Sequence, residues 1–277
     1  MPLDEVLPIS CAGQEWFSLA LTAVDSLDTL LMMGLNEEYL RAVEAIRKKR
    51  QQAFTRTPGM CNVFETTIRV VGGSLAGYYE ALASSDERIR ATASTLLDLA
   101  VDVGSRLMKA FDDSRTALPL SDVDLSSGDT SRSATASSLS EMTTLILEFA
   151  TLSNVTGDDR YKEAARRVYD ALPHGLLSRY FNPRTGEMLE ADYLMLGART
   201  DSYYEYLLKY WIMTGKQVCV CGGWYVVGGM WWCVSLTINT TALHTTGRRD
   251  EGAVQESGTF DTFDTFDTFV TFDTFET

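Results

Sequence analysis

The feature that most constrains the fold is a series of amphipathic segments with a helical period, running from Trp16 to about Gly215. In the clearest of them, Leu96–Phe111, apolar residues recur three or four positions apart and therefore share one face of a helix. Glycines interrupt the series where helices are expected to end, as at Gly34. About six or seven helices joined by short loops, without long strand-like alternation, predict an all-α chain of antiparallel helical hairpins.

Local signals refine this organisation. The first helix is predicted at Trp16–Met33, and a later helix at Phe64–Leu82 contains two adjacent glycines. Because such a pair weakens an isolated helix, we expect it to allow close packing against a neighbouring element. The segment Asp112–Ala136, rich in Ser, Asp and Thr, is predicted to be a loop. Asn182–Gly186 is predicted to be a turn between two short extended pieces.

The charge of the chain argues against nucleic acid as a partner. The 277 residues carry a net charge of -14, from 24 Lys and Arg against 38 Asp and Glu. Binding to phosphates needs clustered cations, and Arg47-Lys-Lys-Arg50 is the one such cluster in the sequence. We interpret it as the solvated end of a helix. The hydrophobic content of 45% is sufficient for a sizeable core in one or two domains.

The cysteines and histidines form no pattern that predicts a metal site. There are five cysteines and two histidines, and no histidine lies at ligand spacing from a cysteine. The sequence leaves open whether Cys11 and Cys61 are bridged. The histidines, His174 and His244, have no neighbours that suggest a catalytic triad. The sequence motifs themselves therefore assign no metal ligands.

The composition changes at Gln217, which divides the chain into residues 1–216 and residues 217–277. The second part ends in repeated Phe-Asp-Thr triplets from Phe260 onward. A period of three matches neither a strand nor an α-helix, so the Phe side chains cannot form one steady face. Two interpretations remain open. The tail is either an aberrant product of a frameshift, intron read-through or faulty gene model, or a genuine acidic tail that is irregular or disordered.

Several charged residues could take part in chemistry, but each has a plain structural explanation. Glu65 and Arg69 lie four residues apart and share a helix face, as a surface ion pair would. Asp201 precedes an apolar helical run and could be its N-cap, with Glu205 one turn further on. Glu141 is the third residue of the predicted capping box that begins at Ser138. No single carboxylate is by itself a catalytic signal.

Ordered sequence blocks change this assessment, because together they resemble the class I α-1,2-mannosidases of glycoside hydrolase family 47. The resemblance covers residues 4–216 and is carried by Asp4–Pro8, Leu21–Leu30, Phe64–Gly73, Ser138–Gly157 and Leu194–Lys209. It implies part of an (αα)₇ barrel. It also implies removal of α-1,2-linked mannose from high-mannose N-glycans with inversion. Inversion requires a general acid and a general base, with their carboxyl groups about 6.5–9.5 Å apart.

The resemblance also implies roles for individual residues. Glu65 matches the carboxylate usually regarded as the general acid, and Asp201 matches a second carboxylate considered for proton transfer. The residues that match the polar lining of the sugar subsites are Arg69, Glu141, Arg199 and Glu205. Arginine suits this task because its fork of N–H donors can hold several hydroxyl groups. Asp25 and Asp28 match further acidic positions, which we expect to be structural.

The chain also departs from the family pattern. The Arg-Pro-Glu block that supplies the expected base is absent after Lys216, as is the late Thr that binds the Ca²⁺ implied by the resemblance. No signal peptide or N-terminal anchor precedes the catalytic blocks, although the resemblance implies the secretory pathway, in the ER or Golgi. An open barrel would expose apolar faces. We therefore predict that the chain as written is inactive and poorly soluble.

Two functional hypotheses remain. The first is an enzyme, a calcium-dependent α-1,2-mannosidase whose late part is missing. The second is a lectin-like protein that binds high-mannose N-glycans without cleaving them. A fragment without function is a third alternative. The sequence does not indicate which mannose branch is recognised or whether the protein forms oligomers.

Overall fold

The structure, a computed structural model, describes residues 4–16, 18–53, 59–130, 135–173 and 177–216. The predictions made for residues 217–277, including the irregular tail, lie outside the described residues. His174 also lies outside them. Within the described ranges, no helix is both long and apolar enough to cross a membrane.

Helices dominate the described part of the chain, which confirms the predicted all-α class. The α-helices are α1 (Leu21–Asp25), α2 (Leu27–Met32), α3 (Asn36–Ala53), α4 (Val63–Glu65), α5 (Gly72–Ala83), α6 (Glu87–Arg90), α7 (Ala93–Leu107), α8 (Lys109–Asp112), α9 (Leu139–Thr143), α10 (Ile146–Thr156), α11 (Arg160–Ala171) and α12 (Asp201–Met213). A π-helical turn, Thr66–Val71, joins α4 to α5.

Buried side chains from these helices form a hydrophobic core. On α7 the predicted apolar positions are buried, among them Leu96 and Leu99. α7 packs against α5, and α10 packs against both α11 and α12. Phe149 of α10 packs against two other aromatic rings, with its ring centroid 5.9 Å from that of Phe111 and 6.0 Å from that of Tyr161. The prediction of one continuous helix over Leu96–Phe111 is wrong, because α7 ends at Leu107 and a separate helix, α8, begins at Lys109.

Several helices end where the sequence predicts. Gly34, Gly157 and Gly215 have φ values of 72°, 74° and 66°, a left-handed conformation that glycine adopts at low cost. Gly157 is the C-cap of α10. At the other end of this region, Ser138 and Glu141 form the predicted capping box at the start of α9. The local signals therefore set these boundaries.

Short strands supplement the helices. They are β1 (Glu5–Leu7), β2 (Ala12–Gln14), β3 (Met60–Asn62), β4 (Asp122–Asp124), β5 (Ser137–Ser138), β6 (Ser178–Phe181) and β7 (Met188–Leu194). All the pairs, β1–β2, β3–β4, β5–β6 and β6–β7, are antiparallel. The predicted turn at Asn182–Gly186 lies between β6 and β7, as expected. The prediction of a loop throughout Asp112–Ala136 is wrong at β4, because residues 122–124 pair with β3, a distant partner that no local signal indicates.

The predicted first helix is also wrong in its starting point. The described residues before Leu21 are not helical, and Ser18 and Ala20 have positive φ values of 58° and 59°. The reason is the carboxylate of Asp4, which accepts hydrogen bonds from backbone N–H groups in this segment, including those of Leu19 at 2.8 Å and Leu21 at 3.1 Å. These N–H groups point toward one anion, and the helix begins only at the last of them, Leu21.

Some apolar side chains remain exposed at the surface. Met32 is 80% exposed and Met33 is 67% exposed at the end of α2, and Tyr79 and Leu82 of α5 are also exposed. α2 and α5 pack against each other, so these side chains lie on neighbouring elements. Exposed apolar side chains are consistent with the expected low solubility, which itself stays a prediction.

Candidate active site

The first part of the site lies around Glu65, at the junction of α4 and the π-helical turn. The side chain of Asn62 caps α4 by accepting a hydrogen bond from the backbone N–H of Glu65 at 3.0 Å. Arg69, on the π-helical turn, donates from Nε to Oε2 of Glu65 at 2.8 Å. Its Nη1 lies 3.1 Å from Oδ2 of Asp25. Arg69 therefore holds a carboxylate on each side, and both carboxylates raise the pKa of its guanidinium.

The second part of the site lies around Glu141, whose two carboxylate oxygens have different partners. Oε2 accepts from the backbone N–H of Ser138 at 3.0 Å, which is the reciprocal bond of the capping box. Oε1 accepts from Nη1 of Arg199 at 3.0 Å. The structural and the functional interpretations of Glu141 are thus compatible. The cap fixes the carboxylate, and the fixed carboxylate positions an arginine that is 54% exposed and able to reach a ligand.

The loop that carries Arg199 docks on α9 through its backbone and through Asp201. Arg199 has a φ of 78°, and its carbonyl oxygen accepts from the N–H of Ser140 at 2.9 Å. The hydroxyl of Ser140 donates to Oδ1 of Asp201 at 3.1 Å, and the N–H of Ser202 donates to the same oxygen at 2.9 Å. Asp201 is exposed and is the first residue of α12, since its N-cap is Thr200. The interpretation of Asp201 as the N-cap itself is therefore wrong by one residue.

Asp122, which the sequence analysis did not single out, connects the two parts. It is the register partner of Asn62 in the β3–β4 pair, and it hydrogen-bonds the side chain of Asn62. Burial raises the pKa of Asp122, and the negative charge of Glu141 raises it further, while the bond to Asn62 lowers it. Asp122 thus lies between the residue that caps α4 and the carboxylate that holds Arg199. No spacing signal predicts it, because its place depends on strand pairing.

Glu205 and Asp28 are less closely tied to this cluster. Glu205 forms an ion pair with Lys209 on its own helix, α12, and its side chain is 44% exposed. Asp28 accepts a hydrogen bond from the adjacent N–H of Thr29 at 2.6 Å. The structure therefore forms two networks of contacts, one of Glu65, Arg69 and Asp25 and one of Glu141, Arg199, Ser140 and Asp201. Asp122 relates them through its bond to Asn62 and the charge of Glu141. The contacts of Glu205 and Asp28 are local.

A further carboxylate, Glu148, lies where α10 meets α12. The hydroxyl of Tyr206 donates to its Oε1 at 2.8 Å. Its Oε2 is out of contact with solvent and has no hydrogen-bond partner among the described residues. Burial raises the pKa of Glu148, which favours its neutral form. The sequence analysis used Glu148 only as part of a motif and assigned it no role.

The described residues do not supply a metal site. In the ranges that the structure describes, no group of three or more His, Cys, Asp or Glu side chains is arranged to hold a metal ion. A Ca²⁺ ion needs about six to eight oxygen ligands, and no cluster of carboxylates among the described residues offers several of them. Cys11 and Cys61 are free thiols, the first exposed and the second buried, which settles the open question of a bridge between them.

Comparisons with known proteins agree with the sequence motifs. A family model described as glycosyl hydrolase family 47 matches residues 1–228. The chain is 38% identical over 222 residues to a human protein named endoplasmic reticulum mannosyl-oligosaccharide 1,2-alpha-mannosidase, covering 77% of this chain and 30% of that protein. It is 36% identical over 230 residues to mannosyl-oligosaccharide 1,2-alpha-mannosidase MNS3 of Arabidopsis thaliana, covering 79% and 36%. The chain thus spans about a third of the length of these curated relatives.

A solved structure and a third relative complete the comparison. Alpha-1,2-mannosidase from Trichoderma reesei superposes with a TM-score of 0.74 at 22% identity, over 88% of this chain and 50% of that one. The mouse ER degradation-enhancing alpha-mannosidase-like protein 2 is 34% identical over 219 residues, covering 75% and 37%. The structural match confirms the expected fold, part of an (αα)₇ barrel. Together with the family model, these matches establish that the chain belongs to glycosyl hydrolase family 47.

Proposed function

We propose that this chain is part of an α-1,2-mannosidase that acts on high-mannose N-glycans and hydrolyses terminal α-1,2-linked mannose with inversion, while the 277 residues by themselves, which lack the Arg-Pro-Glu block, are inactive. The observation that carries the proposal is the pairing of a carboxylate with an arginine in each of two networks, Glu65 with Arg69 and Glu141 with Arg199. Asp201 is held beside the second pair by Ser140. The relatives named mannosyl-oligosaccharide 1,2-alpha-mannosidase support the same substrate class. Because the chain spans about a third of their length, the activity of the whole protein is part of the proposal.

Each of the two networks supplies one carboxylate proposed for proton transfer and one arginine. Glu65 is the proposed general acid, which donates a proton to the leaving oxygen of the glycosidic bond. Nε of Arg69 donates to Oε2 of Glu65 at 2.8 Å and so limits the positions that the carboxylate of Glu65 can take. Asp201 is the proposed second carboxylate for proton transfer. It is oriented by Ser140 and by the N–H of Ser202, which leaves its other oxygen for a ligand.

The proposed sugar contacts come from Arg69, Glu141, Arg199 and Glu205. Arg199 is half exposed and is anchored by Glu141, so its remaining N–H donors can reach sugar hydroxyl groups. Glu141 itself is mostly covered and serves as the anchor. Glu205, at 44% exposure, is placed one turn beyond Asp201 and would contact a more distant part of the glycan. The proposed location is the secretory pathway, in the ER or Golgi.

The test is to measure binding and turnover on the same protein. The full 277-residue chain is titrated with α-1,2-linked mannobiose by calorimetry, and released mannose is followed by NMR, which identifies the anomer formed first. We expect Arg199→Ala to weaken binding at least tenfold. The matched control, Arg88→Ala, removes an exposed arginine that pairs with Asp86 and Glu37, outside both networks, and should leave binding unchanged.

Each outcome bears on the hypotheses. Binding with release of β-mannose supports the enzyme. Binding without release, in the presence and absence of added Ca²⁺, agrees both with the lectin-like alternative and with the predicted inactivity of a chain that lacks the Arg-Pro-Glu block. Binding that is equally strong in Arg199→Ala and in the wild type would contradict the proposed site.

A further inference from the structure

Gly73 makes an unusually close contact with the backbone of α1. A Cβ atom added to Gly73 would lie 2.7 Å from the carbonyl oxygen of Val24, 3.1 Å from its carbonyl carbon and 3.2 Å from Cα of Asp25. All three are backbone atoms, so they cannot rotate away as a flexible side chain could. The first distance is shorter than Cβ atoms accept. Only glycine allows α5 and α1 to approach this closely at residue 73.

The element that Gly73 contacts carries Asp25, and Asp25 holds Arg69. Asp25 is the last residue of α1, and its Oδ2 lies 3.1 Å from Nη1 of Arg69. Arg69 in turn donates to Glu65 at 2.8 Å. Gly73 lies four residues after Arg69, just beyond the π-helical turn. The close contact therefore sets the distance between the two backbones that the Asp25–Arg69 pair has to bridge.

We propose that Gly73 is a positioning residue for Glu65. Because Gly73 has no side chain, α1 can approach closely enough for Asp25 to accept a hydrogen bond from Arg69. We call this Asp25–Arg69 contact the clamp. Arg69, held in this way, orients the carboxylate of Glu65 through its own Nε. The catalytic meaning of this clamp rests on the proposed function of Glu65, but the clamp itself is a property of the folded chain. The π-helical turn contributes to this arrangement, because it places Arg69 between the carboxylates of Glu65 and Asp25.

The geometry predicts how large a change would matter. Ordinary van der Waals contact for a Cβ begins at 3.4 Å, so the 2.7 Å approach to Val24 would have to lengthen by roughly 0.7 Å. A shift of this size away from α5 would take the 3.1 Å bond between Arg69 and Asp25 beyond hydrogen-bonding distance. The guanidinium of Arg69 would then be hydrogen-bonded to Glu65 alone, and the two side chains could move together.

The adjacent Gly72 offers a matched control. A Cβ added there would lie 3.4 Å from Cγ of Glu148 and 3.6 Å from the carbonyl oxygen of Thr67, which are ordinary contacts. Gly72→Ala and Gly73→Ala change helix propensity by the same amount in neighbouring positions. Any difference between the two variants therefore reports the contact with α1.

The experiment follows the Nε–Hε signal of Arg69 by ¹⁵N NMR in the full chain, assigned by its loss in Arg69→Lys. It requires neither substrate nor turnover, so a failure of the proposed function would leave this result unaffected. We expect hydrogen exchange at Hε to be several-fold faster in Gly73→Ala than in the wild type, and unchanged in Gly72→Ala. A folded Gly73→Ala variant with wild-type exchange would overturn the proposal.

A second variant tests the proposal if Gly73→Ala does not fold. Asp25→Asn alters a side chain that is 42% exposed, so the fold should tolerate it. It removes the charge that holds Nη1 of Arg69 without touching Gly73. Faster exchange at Hε of Arg69 in Asp25→Asn supports the clamp, and unchanged exchange refutes it.

Discussion

The carboxylate of Asp4 should be one of the largest single contributors to the stability of this chain. Asp4 has no solvent-exposed surface. It accepts hydrogen bonds from the backbone N–H groups of Trp16, Ser18, Leu19 and Leu21. Substitution Asp4→Ala would leave these donors without their acceptor.

The magnitude follows from the donors that would be orphaned. The bonds from Leu19 and Leu21 are buried, and each buried donor left unpaired costs about 1–3 kcal/mol. Asp4→Ala should therefore lower the free energy of unfolding by about 2–6 kcal/mol, out of a total of about 5–15 kcal/mol for a typical domain. Asp4→Asn keeps one acceptor oxygen but turns an NH₂ group toward some of the donors, and should have an intermediate effect.

The same contacts predict a pH dependence. Burial alone would raise the pKa of Asp4, but the hydrogen bonds from the four backbone N–H groups lower it on balance. Since the folded pKa lies below the unfolded one, this stabilisation is present above the unfolded pKa, near 3.9. It is lost as the pH falls through the folded pKa. Asp4→Asn should lack this loss of stability in acid.

The assay is urea unfolding followed by circular dichroism at pH 7 and at pH 3. The control is Glu5→Gln, since the neighbouring Glu5 makes one exposed bond of 3.3 Å to Gln14 and should change stability by less than about 0.5 kcal/mol. If Asp4→Ala lowered the free energy of unfolding at pH 7 by less than about 1 kcal/mol, the anchoring role of Asp4 would be refuted.

Three further predictions concern the core, the site and the thiols. Phe149→Ala should cost about 3–5 kcal/mol in urea unfolding, because Phe149 is fully buried; a loss below about 1 kcal/mol would contradict this. Burial raises the pKa of Asp122, so its contribution to stability is lost as the pH rises through its folded pKa. The difference in free energy of unfolding between the wild type and Asp122→Asn, measured by urea unfolding, should thus be smaller at pH 7 than at pH 3. An equal difference at both pH values would contradict the raised pKa of Asp122. Burial raises the pKa of Cys61 to about 12, so peptide mapping after thiol labelling should find Cys11 modified in the native protein and Cys61 only after denaturation.

The helical class and many helix boundaries could be predicted from the sequence. Periodicity identified the buried face of α7, and the glycines at 34, 157 and 215 marked helix ends, because these are local properties of the backbone and of neighbouring side chains. The capping box at Ser138 is equally local. The motif blocks identified the family, and the comparisons confirmed it.

The tertiary structure decided which of these local elements form the candidate site. The β3–β4 pair places Asp122 next to Asn62, and the docking of the Arg199 loop on α9 makes Glu141 a partner of Arg199. Both contacts join residues about 60 positions apart, so no window of sequence contains them. Asp4 shows the same limit at shorter range, since its carboxylate redirects N–H groups that a periodic pattern assigns to a helix. Local propensity sets where a helix can form, whereas long-range pairing of buried polar groups sets where it does form and which carboxylates meet.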